Sequence, residues 1–133
     1  MTHLGLVTLV VDDYESAIGF FVDVLGFDLV EDSPSLTNDG VPKRWVVVRP
    51  SGAETGLLLA EARGAEQSAR VGDQTGGRVS FFLEVEDFET TYQRLVAADV
   101  TVVREPRDEP YGRVAVFEDV AGNRWDLLGP RSS

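Results

Sequence analysis

A chain of 133 residues, 43% hydrophobic and 26% charged, has the size of one folded domain and the makeup of a globular one, which excludes disordered, collagen-like and membrane-spanning classes. Twelve Lys and Arg stand against 23 Asp and Glu, a net charge of -11, and no basic stripe breaks the acidity, so no nucleic-acid partner is expected. With no cysteine there is no disulfide, thiolate nucleophile or cysteine zinc site, and the opening Met-Thr-His-Leu has no basic or apolar signal region; a reducing cytosol is the expected location.

Residues 4–11 are β-rich and nearly all apolar, and Asp12-Asp13 then supplies a helix cap and favourable negative charge. Tyr14, Ala17, Ile18, Phe21, Val24 and Leu25 follow at helical spacing, and Gly26 ends the helix before a strand from Phe27. Pro, Asn, Asp and Gly crowd 33–42 as in a loop, 44–49 (RWVVVR) reads as a strand, and 57–61 as another. Residues 62–77 are small, polar and glycine-bearing, the mark of a linker.

The plan then repeats: strand 79–85, acidic cap Glu86-Asp87, helical spacing of Phe88, Thr91, Tyr92, Leu95 and Val96, and strand 100–104. A shift of 74 residues matches Val11 to Val85, Asp13 to Asp87, Tyr14 to Phe88, Glu15 to Glu89, Ser16 to Thr90 and Val22 to Val96, which argues for duplicated supersecondary units. Each unit is strand, helix, then two or three strands. One sheet face is thereby covered by its helix and the other left to line a concavity, so a cleft between the halves is expected.

The run VTLVVDDYESAIGFFVDVLGF (7–27) resembles the opening of the vicinal oxygen chelate superfamily, which holds glyoxalase I, bleomycin resistance proteins and extradiol dioxygenases. VFEDVAGNRWDLLGP (116–130) is similar to that superfamily's last hairpin, where an Asp-Pro-x-Gly-Asn turn precedes the final strand. The resemblance implies an α+β fold, two βαβββ modules (about 1–62 and 77–130, joined by linker 62–77) in one domain, their sheets curled into a cup, often within a homodimer.

Metal-dependent members chelate a divalent ion through a side chain near the start of each module's first strand and one on each module's last strand, usually two His and two Glu. Carried over one at a time, those positions fall on Leu6, Ser80, Leu58 and Asp126, and only Asp126 is a usual ligand. One carboxylate and a neutral hydroxyl fall short of an octahedral donor set, so no metal or other cofactor is expected. His3, the only histidine, lies an odd number of residues from Leu6 and reads as a solvated side chain near the terminus.

If Leu6 and Ser80 face inward, alternation brings Thr8 and Val10 beside Leu6, Phe82 beside Ser80, Arg124 and Leu128 beside Asp126, and Gly56 and Ala60 beside Leu58. Trp45, Tyr111 and Arg113 could close the mouth. Bland readings stand beside these: Trp45 and Trp125 as core, Arg113 and Arg124 as neutralisers of nearby carboxylates, Phe82 as plain cup floor. A buried Asp126 would need a partner, for which Arg124 is the candidate.

The expected function is metal-free binding or sequestration of a bulky, cationic or aromatic small molecule, with the acidic surface raising its local concentration; plain solubility is the other reading of that charge. The competing class is an enzyme: a lyase, isomerase or dioxygenase working by acid-base chemistry, with Asp126 as base and Arg113 or Tyr111 stabilising an oxyanion. A third reading relocates the metal to Glu54, Glu61 or Glu84. The edges left by two half-sheets invite pairing with another copy, so a homodimer is expected.

Overall fold

A computed structural model describes residues 1–131. The first compact unit is Met1–Ala69 and the second begins at Arg70. Each holds one four-stranded mixed sheet, neither closed into a barrel.

In the first unit β1 (Leu6–Val11) leads to α1 (Tyr14–Ile18), a π-helical turn (Gly19–Val24), then β2 (Asp28–Leu36), β3 (Pro42–Arg49), β4 (Gly56–Glu61) and a short α2 (Gly64–Ser68). The second unit has β5 (Val79–Glu84), α3 (Phe88–Ala97), β6 (Val102–Glu109), β7 (Gly112–Glu118) and β8 (Arg124–Gly129). The sheet orders are β1-β4-β3-β2 and β5-β8-β7-β6, with the first pair parallel and the other pairs antiparallel in each. The 74-residue repeat is thus a repeat of topology.

The repeated aspartates act alike. Asp13 accepts from the Ser16 amide at 2.8 Å and Asp87 from the Thr90 amide at 3.1 Å, and both are held below the ordinary carboxylate range, chiefly by hydrogen bonds from Ser16 and Thr90.

Four local readings differ from the sequence expectation. The helix after Asp13 is α-helical only to Ile18 and then widens, Leu25 donating to the Phe20 carbonyl five residues back. Neighbours in an α-helix point about 100° apart; the wider turn lets both Phe20 and Phe21 reach the core, their rings edge to face at 5.2 Å. The expected loop at 33–42 is half strand, the turn being confined to 37–41 around Gly40. Pro34 is tolerated there because β2 is an edge strand, and Pro42 because it is the first residue of β3. The stretch 62–77 contains α2, all of it exposed, and His3 precedes the first strand rather than lying on it.

The core lies between each sheet and its helix. Leu9, Val11, Val46, Val48 and Leu59 are buried with Ala17, Phe20 and Phe21; in the second unit Phe117, Trp125 and Leu127 are buried with Phe88 and Leu95. Among the described residues no helix is long and apolar enough to cross a membrane.

Candidate functional site

Period-two alternation gives each sheet a second face that its helix does not cover. In the first unit the parallel register sets Leu6 beside Gly56, Thr8 beside Leu58 and Val10 beside Ala60, and Leu58 is in turn opposite Val47 on β3. A Cβ built on Gly56 would lie 3.3 Å from Val47 Cγ1 and 3.4 Å from Leu6 Cδ2, which places these three on one face. Trp45, two residues before Val47, is half-buried and shares a cavity of about 180 Å³ with Leu58, Ala60 and Arg63. The first-unit residues singled out in the sequence, Leu6, Thr8, Trp45 and Leu58, therefore share a face.

In the second unit Phe82 is opposite Asp126 and Asp126 opposite Val116, a row across the uncovered face. Phe82 is 63% exposed, a large ring presented to solvent. Arg124 lies toward one end of this face and Leu128 toward the other; Ser80, at the register shift between Val79 and Phe81 of β5, lines a pocket with Arg124. Tyr111, at the tip of the β6–β7 hairpin and well exposed, lines a pocket with Leu128 and Glu84.

Burial pushes the Asp126 carboxyl above the ordinary aspartate range, and the positive charges of Arg107 and Arg104 offset part of that rise. The cations that act on Asp126 are thus from β6, not the expected Arg124. Arg107 itself donates to Glu109 at 2.7 Å. Alternation could not have found this pair, because β6 carries two register shifts against β7, between Val102 and Arg104 and between Arg104 and Arg107.

Arg113 is a correction. It lies on the helix-covered side with Ala115 and Phe117, donating to Glu89 at 2.9 Å and Asp108 at 3.2 Å and resting over the Phe88 ring at 5.4 Å. Asp126 occupies the opposite face, so Arg113 does not join it to stabilise an oxyanion. Trp125 is core: 3% exposed, stacked on Phe117, with its indole N–H donated to Asp119 at 2.8 Å.

The metal of the chelating members does not fit this donor set. Leu6 and Leu58 offer no donor atom and Ser80 only a neutral hydroxyl beside the single carboxylate of Asp126. Among the described residues no three of His, Cys, Asp or Glu gather as a metal site would require, and Glu61 is engaged with the Tyr14 amide at 3.3 Å.

The shift of Asp126 has a consequence for stability. A folded-state pKa above the unfolded value means the folded state holds the proton more tightly; the stabilisation is full below the unfolded pKa and fades as pH rises through the folded one. Asp126→Asn is therefore expected to raise stability at pH 7, by less than about 1 kcal/mol because the group is partly solvated. Urea denaturation at neutral pH and at pH below the aspartate range measures it; an Asn variant less stable at pH 7 refutes the assignment.

The family model of the glyoxalase/bleomycin resistance protein/dioxygenase superfamily matches residues 3–127. An uncharacterized protein of Shewanella frigidimarina (strain NCIMB 400) is 49% identical over 123 residues, covering 92% of this chain and 89% of its own. The crystal structure of TnmS3, an antibiotic binding protein from Streptomyces sp. CB03234, is similar with a TM-score of 0.75 and 32% identity, covering 98% of this chain and 97% of that one. A glyoxalase/bleomycin resistance protein from the same Streptomyces superimposes with a TM-score of 0.71 at 31% identity over 95% of this chain and 99% of its own. The match along nearly the whole sequence, the two like-ordered sheets and the repeated aspartate caps agree: the chain belongs to the glyoxalase/bleomycin resistance protein/dioxygenase superfamily.

Proposed function

We propose that the protein binds and sequesters a flat, aromatic small molecule on the uncovered sheet faces, without a chelated metal. The observation that carries this reading is Phe82, 63% exposed on an uncovered face and directly opposite the half-buried Asp126: an apolar platform beside one polar anchor. The apolar face of Leu6, Thr8, Trp45 and Leu58 in the first unit offers the same chemistry, and the description of TnmS3 as antibiotic binding supports a small-molecule ligand. The net charge of -11 favours ligands carrying positive charge elsewhere in the molecule, by steering rather than contact.

A thermal-shift screen of aromatic and cationic antibiotics, repeated across a salt titration, tests this. Hits are expected to bind at least about tenfold more weakly to Phe82→Ala, through loss of ring stacking and apolar contact. Hits indifferent to Phe82, or no aromatic hit at all, would overturn it. Conversion of a compound without added metal, lost in Asp126→Asn while binding persists, would instead establish the acid-base enzyme that the raised carboxyl favours.

The working form in this reading is a cytosolic homodimer. Among the described residues, strands β1 and β2 in one sheet and β5 and β6 in the other have no strand paired at their outer edges, which supports pairing with a second copy. Light scattering is expected to give a mass near twice 14.5 kDa, and a mass near 14.5 kDa at micromolar concentration refutes the dimer.

A further inference from the structure

Four arginines of this acidic chain are neutralised by ion pairs: Arg44 by Glu15 and Asp32, Arg70 by Asp73, Arg107 by Glu109, Arg113 by Glu89 and Asp108. Two arginines that make no ion pair among the described residues, Arg78 and Arg124, line the same pocket in the second unit, of about 200 Å³. Ser80 and Thr75 line it with them, and Glu118 is the single carboxylate among the described residues that line it. Two guanidiniums against one carboxylate leave this pocket net positive inside a molecule of charge -11.

The pocket is built rather than incidental. The loop before β5 is pinned to the β7–β8 turn at Gly72, which has φ +76 and whose Cβ, if it had one, would lie 2.4 Å from the Ala121 carbonyl oxygen; no side chain fits there. Thr75 Oγ1 donates to the Arg78 carbonyl at 2.7 Å and lies 3.0 Å from Ser80 Oγ, so the loop's return onto β5 is fixed. The Ser80 hydroxyl hydrogen can turn from Thr75 toward an incoming oxygen. Gly72, Gly77 and Gly122 line the cavity with bare backbone, which leaves room for close approach.

We propose that this pocket binds a phosphate-type oxyanion, held by Arg78 from the loop, Ser80 from β5 and Arg124 from β8. One bidentate arginine satisfies the two oxygens of a carboxylate; donors arriving from three segments match the larger oxygen set of a tetrahedral anion. Glu118 stands beside the anion and sets the limit on its affinity, so its neutralisation strengthens binding.

The proposal goes beyond the aromatic-ligand reading and is tested separately. Inorganic phosphate is titrated into the full-length protein at ionic strength held constant with sodium chloride, and followed by thermal shift and calorimetry. Saturable stabilisation beyond that of chloride is expected. Arg78→Gln and Arg124→Gln should each weaken it about tenfold, the loss of one charge-assisted hydrogen bond; Glu118→Gln should tighten it, and Arg70→Gln, outside the pocket, should leave it unchanged. Equal effects of phosphate and chloride, persistence in the double Arg78→Gln/Arg124→Gln variant, or acetate binding as tightly as phosphate would each overturn the proposal. Phe82→Ala should bind phosphate like the parent protein, so either reading can fail without the other.

Discussion

Asp119→Ala is expected to destabilise the protein by about 3 kcal/mol or more, because one buried carboxylate satisfies donors from four residues. Its Oδ1 accepts the amides of Ala121, Gly122 and Asn123 at 2.9, 3.0 and 3.0 Å, which shapes the β7–β8 turn. Its Oδ2 accepts the Trp125 indole N–H at 2.8 Å, which ties that turn to the core. Alanine removes every acceptor at once and leaves the indole N–H and the Asn123 amide buried without partners. Asp119→Asn keeps an oxygen for the backbone amides but turns its second group into a donor facing Trp125, so an intermediate loss is expected. Urea denaturation followed by tryptophan fluorescence measures both, and an alanine variant within about 1 kcal/mol of the parent refutes the account. The same turn carries Ala121, against which Gly72 closes, so Asp119→Ala is also expected to abolish the phosphate response.

Phe21→Ala is expected to remove about 3–5 kcal/mol, the range for truncating a buried aromatic ring in a core that cannot collapse onto the void. Phe21 is 0% exposed, edge to face with Phe20 and tilted against Phe27 at 5.6 Å. Phe21→Leu leaves most of the volume filled and should lose clearly less. A truncation that proved nearly neutral would show that the widened helical turn relaxes into the cavity, in contradiction to the packing described.

Much of the fold is local in origin, and so was legible from residues alone. The Asp13 and Asp87 caps need only the next few amides, helical spacing of apolar residues selects the buried face, and the 74-residue self-similarity repeats both, so two like modules follow without any long-range information. Parity along a strand is equally local, and it set Arg124 with Asp126 and Leu6 with Thr8. What crosses between strands was not legible. Whether Arg113 shares a face with Asp126 depends on the register of β7 on β8, and that register sets it with the helix side instead. Arg104 and Arg107 reach Asp126 only because β6 slips twice against β7. Arg78 and Arg124 share a pocket because the β5–β8 register sets Val79, the neighbour of Arg78, directly beside Arg124, 45 positions away. Hydrogen-bond register, bulges and loop docking are decided by the sum of many weak contacts across the sheet, so only the tertiary structure could place the charged groups around apolar residues that alternation along each strand had already picked out.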